Sequence, residues 1–237
     1  MLSILIPVWN QGEKIKGNFL NLIDTLKEIK DEYEIIFVDD GSTDNSFEIL
    51  RSLYKNHPYV KVIRLERNIG QHQALLAGFE LARGDIIITM DADAKVPPRY
   101  IPELVSKMKE GYDIVVAWRH YRPGLSRIRK LGSFLINQYT NLLTGKRLHD
   151  HACSLKAYSG RLIRDNINRP EIRRFFSILI IRYATRINEI KALCNYKHPK
   201  DSSFTFKKLS LLLLDFILNS VNIWYRDMPY NIKEILQ

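Results

Sequence analysis

The chain has no hydrophobic run long enough to cross a bilayer unaided. Its longest candidate, within residues 206–225, is a stretch of about 17 residues that includes Asp215, short of the roughly 20 that a spanning helix needs. Cysteine is scarce: Cys153 and Cys194 cannot build a disulfide framework, and they suit a reducing compartment. No secretion signal is expected, because Met1 is followed at once by a strand-like run at 2–8, with no basic stretch and no cleavage site. The expected location is therefore the cytoplasmic side. There is no internal repeat and no low-complexity linker. No RNA- or DNA-binding motif is present, which argues against a nucleic-acid partner. His149 and His151 flank Asp150, but no Cys/His spacing supports zinc.

What is abundant is positive charge, and it is unevenly placed. Residues 1–118 hold 14 Lys+Arg against 18 Asp+Glu, a net of −4, whereas residues 119–237 hold 22 against 8, a net of +14. The second half is expected to meet phosphate groups or an acidic membrane; the alternative is a basic solvated surface. A hydrophobic content of 46% in 237 residues fits one large packed α/β domain with an appendage rather than disorder.

The first half alternates β-branched apolar runs with helical periodicity. Strands are expected at 2–8, 34–39, 60–65, 85–90 and 113–118, and helices at 13–29, 44–54, 71–82 and 98–109. This order predicts a mostly parallel sheet flanked by helices, with ligands outside the carboxyl ends of the strands. The second half reads as a helix over 127–144, a loop and short strand over 149–158, a helix over 175–187 and an extended run over 188–194. A strong helix follows at 206–225. Its polar residues Asp215, Asn219, Asn222 and Arg226 form one narrow stripe, so it is expected to lie at a membrane interface or to pack as a core helix. The expected division is a catalytic domain over 1–200 and an amphipathic, membrane-associating segment over 201–237.

Three strand ends carry the chemistry: Pro7-Val8-Trp9-Asn10, Val38-Asp39-Asp40-Gly41-Ser42, and Met90-Asp91-Ala92-Asp93. Two carboxylates at i, i+2 supply the oxygen ligands that a hard divalent cation takes alongside substrate phosphates. Such a cation offsets the charge that develops on a departing diphosphate. A carboxylate at 39 or 40 can accept from a nucleotide base. Ser42, Thr43 or Asp44 can instead cap the next helix. Trp9 is expected to stack near a nucleotide, with a core position as the alternative.

Together these stretches, with Asn68-Ile69-Gly70, Ala82-Arg83-Gly84-Asp85 and Pro97-Pro98, resemble family 2 glycosyltransferases of the GT-A (Rossmann-like) fold. Leu143-Thr144-Gly145-Lys146, Leu148-His149-Asp150 and Cys153-Ser154-Leu155-Lys156-Ala157-Tyr158 resemble the polyprenyl-phosphate branch of that family. The branch includes dolichol-phosphate mannose synthases and undecaprenyl-phosphate transferases for glucose and formyl-aminoarabinose, the last being most similar around Asp150. The resemblance implies that Pro7, Trp9, Gln11, Val38 and Asp40 surround the nucleoside. It implies that Asp91, Ala92 and Asp93 hold the diphosphate with Mg²⁺ or Mn²⁺, and that Arg119, Arg129 and Lys197 meet the acceptor phosphate. Asp150 then lies beside the acceptor, as a base or as a structural anchor. Lys95 departs from the family's glutamine, Gln11 from its glutamate and Lys197 from its arginine.

The implied activity is an inverting transfer of a sugar from a nucleoside-diphosphate sugar to a polyprenyl phosphate on the inner membrane face. The partners are the donor, the lipid and an anionic membrane surface, and a homo-oligomer is left open. Two competing readings are a transferase acting on a saccharide hydroxyl and a non-catalytic sugar-nucleotide-binding relative.

Overall fold

Apolar, β-branched runs fix the centre of the molecule. In the computed structural model, which describes residues 1–121, 127–194 and 230–237, every residue of β1 (Leu2–Val8) is buried. The chain continues through α1 (Lys14–Leu26), β2 (Tyr33–Asp39), α2 (Ser46–Asn56), β3 (Val60–Leu65), α3 (Gln71–Leu81) and β4 (Ile86–Thr89). A 3-10 turn at Pro98–Tyr100 leads into α4 (Ile101–Lys109), then β5 (Ile114–Tyr121), α5 (Arg127–Thr144), β6 (Lys156–Ser159) and α6 (Gly160–Asn166). The last described elements are α7 (Pro170–Leu179), β7 (Ile187–Leu193) and β8 (Ile232–Leu236).

One eight-stranded sheet has the order β7-β5-β6-β4-β1-β2-β3-β8. β1 pairs in parallel with both β2 and β4, and β2 with β3. β6 is antiparallel to β4 and β5, so β5 points the same way as β4. The expected mostly parallel, helix-flanked architecture is what forms. α3 lies against β1 and β2 and meets α7, while α1 meets α2 and α4. The close seat of α3 depends on Gly78, where a Cβ would run into the Leu5 side chain.

Four expectations change. β5 runs on to Tyr121, so Arg119 lies inside the strand rather than just past it. The helix expected over 175–187 starts earlier, at Pro170, and gives way to a 3-10 turn at Ile180–Tyr183. Proline at the first helical position lacks only an N–H that would have no intrahelical partner, so it sets the start. The short helix α6 was not expected. Residues 232–236, expected within a membrane-associating segment over 201–237, instead pair antiparallel with β3 as an edge strand. The expected helix over 206–225 lies outside the described residues.

Candidate active site

Successive strands step from β1 to β2 to β3, then the chain crosses back to place β4 on the other side of β1. The strand order therefore reverses at β1, and a crevice opens there at the carboxyl ends. Val8 pairs with Asp39, and Leu5 with Thr89. The three predicted motifs thus emerge side by side.

The first two motif loops are zipped together by small polar groups. Ser46 Oγ, buried at the start of α2, accepts from the backbone N–H of Gln11 and Gly12, each at 2.9 Å. Asn10, at φ 49°, accepts through Oδ1 from Thr43 N at 2.9 Å, and Asn10 N donates to Ser42 Oγ. Asp44 receives Ser46 N–H at 3.0 Å, but the N-cap position of α2 falls to Asn45, which makes no side-chain capping bond, so the cap expected from Ser42, Thr43 or Asp44 does not form. Gly41 sits at φ +64°, where a Cβ would collide with the backbone of Arg67 and Asn68. Pro7 and Val38 are buried strand residues, so their side chains close the crevice floor. Trp9 is 53% exposed, which excludes a core position and leaves its ring open for stacking.

Asp40 is a latch for the loop ahead of α3. Its carboxylate accepts from Ile69 N, Gly70 N and Asn68 Nδ2, all at 2.9 Å, and the residue is buried. Burial pushes its pKa up, while the Ile69 and Gly70 amides pull it back down. Asp39 is fully buried, accepts from Ser42 N at 3.1 Å and lies 3.5 Å from Arg64 Nε. Burial raises its pKa too.

The acidic turn is held from two directions. Asn18 on α1 donates to Ala92 O at 2.7 Å, and Gln71 on α3 donates to Asp91 Oδ1 at 2.7 Å. Ala94 takes φ 47° and its N–H closes the turn onto Asp91 O. Lys95 Nζ pairs with Asp93 Oδ2 at 2.9 Å, so the lysine in the glutamine position engages the acidic turn itself. Asp93 Oδ1 is buried and has no hydrogen-bond partner. A buried carboxylate oxygen without a donor suits a hard cation. The described residues contain no group of three or more His, Cys, Asp or Glu that could hold a metal. Asp91 and Asp93 therefore fit a cation whose remaining ligands come from a diphosphate and water.

The second half of the site lies at the same sheet edge. β5 is two strand spacings, about 10 Å, from β4. At its end Arg119 grips Asp150 bidentately, Nε to Oδ2 at 2.6 Å and Nη2 to Oδ1 at 2.8 Å. Asp150 is buried and the Arg119 side chain is 15% exposed. Both oxygens of Asp150 thus accept from the guanidinium, a charge-assisted bidentate pair that commits the carboxylate to Arg119. Arg129 falls in the first turn of α5; its side chain and Lys197 lie outside the described residues.

A buried polar network supports this pair. Asn137 and Asn141 of α5 grip the loop before β6: Asn137 Nδ2 donates to Leu148 O, and Asn141 Oδ1 accepts from Leu148 N at 2.8 Å. Asn137 Oδ1 also accepts from His151 N at 3.0 Å. Since Asn141 Oδ1 is an acceptor, His151 Nε2, 2.7 Å away, carries the proton. The buried Nδ1 of His151 has no partner. Burial, then the nearby Lys156 ammonium, push His151 down to about 4. Lys156 is itself buried; its Nζ donates to His151 O at 2.8 Å and Ser177 O at 3.2 Å, and burial lowers it to about 8. Burial pushes the Cys153 thiol up to about 12, which suits the expected inert packing role. Above the pair, His149 stacks on Trp118 at 4.2 Å and contacts Glu189 through Nδ1 at 2.7 Å.

Sequence reasoning missed the supporting residues Asn18, Ser46, Gln71, Asn137, Asn141, Lys156 and Glu189. None of them carried a sequence signal: even Lys156, at the head of the short strand Lys-Ala-Tyr-Ser, reads as an ordinary surface charge.

Comparison with known proteins agrees with this architecture. A curated undecaprenyl-phosphate 4-deoxy-4-formamido-L-arabinose transferase from Proteus mirabilis (strain HI4320) is 39% identical over 219 residues, covering 91% of this chain and 66% of the relative. One of the same name from Serratia proteamaculans (strain 568) is 38% identical over 217 residues, with the same coverage. The chain thus spans just under two thirds of the length of these relatives. Glucosyl-3-phosphoglycerate synthase from Mycobacterium tuberculosis, solved with Mn²⁺ and uridine-diphosphate-glucose, superposes with a TM-score of 0.63 at 19% identity, covering 92% of this chain and 78% of that one. Residues 1–349 of S. aureus TarS with UDP-GlcNAc give a TM-score of 0.60 at 17% identity, covering 95% and 68%. The profile described as glycosyl transferase family 2 matches residues 3–168, and the chain belongs to that family.

Proposed function

We propose that the protein transfers a sugar, with inversion, from a nucleoside-diphosphate sugar to a polyprenyl phosphate at the cytoplasmic face of a membrane. The observation that carries this reading is the bidentate Arg119–Asp150 pair. A sugar hydroxyl needs a carboxylate that is available to take its proton. A phosphate monoester, with a second pKa of about 6, is already an anionic nucleophile at neutral pH. A site whose acceptor-side carboxylate is committed to a guanidinium suits the second kind of acceptor. The names of the relatives from Proteus and Serratia point the same way.

In this reading an acceptor phosphate oxygen attacks the anomeric carbon from the face opposite the diphosphate. The carbon–oxygen bond to the diphosphate breaks, and the diphosphate leaves with the electron pair. Asp150 holds the Arg119 guanidinium flat and in place, and Arg119, Arg129 and Lys197 draw in the acceptor phosphate. Trp9 and Gln11 flank the nucleoside. Asp40 serves it indirectly, by fixing the loop that carries Gln71 to Asp91. Asp91 and Asp93 are the residues that hold Mg²⁺ or Mn²⁺, as the Mn²⁺-containing neighbour also encourages. When bound, the cation offsets charge on the departing diphosphate. The apolar stretch over 206–225 adds membrane contact.

Incubation with a panel of nucleoside-diphosphate sugars, Mg²⁺ or Mn²⁺ and undecaprenyl phosphate tests the reading. A lipid-linked sugar is the expected product. Transfer to a soluble saccharide, with no lipid-linked product from any donor, overturns it in favour of the hydroxyl-acceptor alternative.

A further inference from the structure

The donor side of the crevice is acidic. Its four loops, residues 7–13, 38–46, 68–71 and 90–98, carry six carboxylates, Glu13, Asp39, Asp40, Asp44, Asp91 and Asp93, against a single Lys or Arg, which is Lys95. A nucleoside diphosphate adds further negative charge, so binding it here requires a cation close by. Arg64 on β3 is committed elsewhere: its Nε lies 3.5 Å from Asp39 and its guanidinium 4.0 Å over the Phe47 ring. The acidic turn itself is braced by neutral amides, Gln71 on Asp91 and Asn18 on the Ala92 carbonyl. Those bonds fix its shape without offsetting its charge.

Lys95 is placed to supply that charge. Ala94, at φ 47°, closes the turn onto Asp91 O, so the chain reverses just before Lys95. Lys95 Nζ then lies 2.9 Å from Asp93 Oδ2, and both side chains are a little over a quarter exposed. The ion pair therefore sits where a ligand from solvent can reach it. Ligands of one small hard cation lie about 3–4 Å from one another. A diphosphate oxygen that shares a cation with Asp93 comes within reach of an ammonium already touching that carboxylate. The flexible four-carbon stem of a lysine allows the ammonium to change partners.

We propose that Lys95 is a diphosphate-binding residue of the donor site. Its ammonium rests on Asp93 and turns to a phosphate oxygen as the nucleotide enters, contributing part of the positive charge that a divalent cation supplies when bound. The proposal rests on the nucleoside-diphosphate donor of the reading above and is independent of the acceptor. Its consequence is that nucleoside diphosphates still bind when divalent cations are withdrawn, and that this binding depends on the charge at position 95.

The test is calorimetric titration of the full chain with UDP, GDP, CDP and dTDP, each beside its monophosphate. Titrations in Mg²⁺ find the base that the crevice takes, and titrations in excess EDTA then remove the cation. In EDTA the unaltered protein is expected to bind the diphosphate about tenfold more tightly than the monophosphate. Lys95→Gln is expected to bring that ratio below about twofold, and Lys95→Arg to keep most of it. Both replacements alter a partly exposed side chain, and equal monophosphate affinity in the three proteins checks that the nucleoside pocket is intact. An undiminished ratio in Lys95→Gln overturns the proposal and assigns the diphosphate to other donors. Binding by the unaltered protein in Mg²⁺ that vanishes in EDTA overturns it as well, because the cation is then indispensable. Absence of binding to every nucleotide in Mg²⁺ overturns the donor reading and this proposal with it. Should diphosphate binding follow the charge at 95 while no lipid-linked sugar forms, the acceptor reading falls and the role of Lys95 stands.

Discussion

His151 gives a prediction whose size follows from its surroundings. Its ring is buried, Nε2–H is committed to Asn141, and Nδ1 faces no acceptor. Protonating Nδ1 would bury an unpartnered N–H and a charge near the Lys156 ammonium, so the folded-state pKa is about 4 against 6.5 for a free histidine. A base whose folded pKa is depressed contributes stability fully present above its unfolded pKa and lost as pH falls. The window here is pH 6.5 down to about 4. At pH 5 the unfolded chain carries the proton and the folded chain does not, which costs about 2 kcal/mol relative to pH 7.5. His151→Gln keeps a donor for Asn141 and cannot titrate. Urea melts of both proteins from pH 7.5 to 4.5 supply the comparison. The unaltered protein should lose about 2 kcal/mol more than the variant by pH 5. Half-buried His72, also depressed, is common to both proteins and cancels. Parallel stability–pH curves would refute the account of a neutral His151 under the Asp150 loop.

Other perturbations follow from the same geometry. Asp150→Ala strands a largely buried guanidinium and should lower stability by about 3 kcal/mol in thermal melts, with a larger loss of kcat/KM than Asp150→Asn. Lys95→Gln withdraws an ammonium from Asp93 and should lower the metal concentration for half-maximal turnover by about three- to tenfold in a Mg²⁺ or Mn²⁺ titration; an unchanged titration denies the competition. Gly41→Ala forces a side chain into the Arg67–Asn68 backbone at positive φ and should cost more than about 2 kcal/mol in chemical denaturation.

Where local chemistry decided structure, the sequence was readable. The runs at 2–8 and 60–65 are unbroken strands because β-branched and aliphatic residues leave no helical stripe, and α5 begins and ends where its periodicity does. The three acidic or polar strand ends were placed together by topology alone. What stayed hidden depends on partners distant in sequence. Gln71 meets Asp91 only because the chain crosses back over β1, and the inward asparagines of α5 make sense only once the 148–151 loop lies against them. Lys156 reads as a surface charge until two carbonyls and burial surround it. The strand at 232–236 was masked by the apolar stretch ahead of it, and the start of α7 by reading periodicity without its proline.

The edge strand β8 has a consequence for how this chain can be dissected. β7 and β8 are the opposite rims of the sheet, seven strand spacings or about 34 Å apart. β7 ends, and antiparallel β8 begins, at the same carboxyl edge that carries the site. The described chain therefore leaves the sheet at one rim and rejoins it at the other, so residues 230–237 belong to the sheet. Cutting the chain after β7 would strip the cover from β3 and leave its backbone open to pairing with another molecule. A short flexible bridge replacing 206–225, with 230–237 kept in place, separates loss of lipid contact from that artefact.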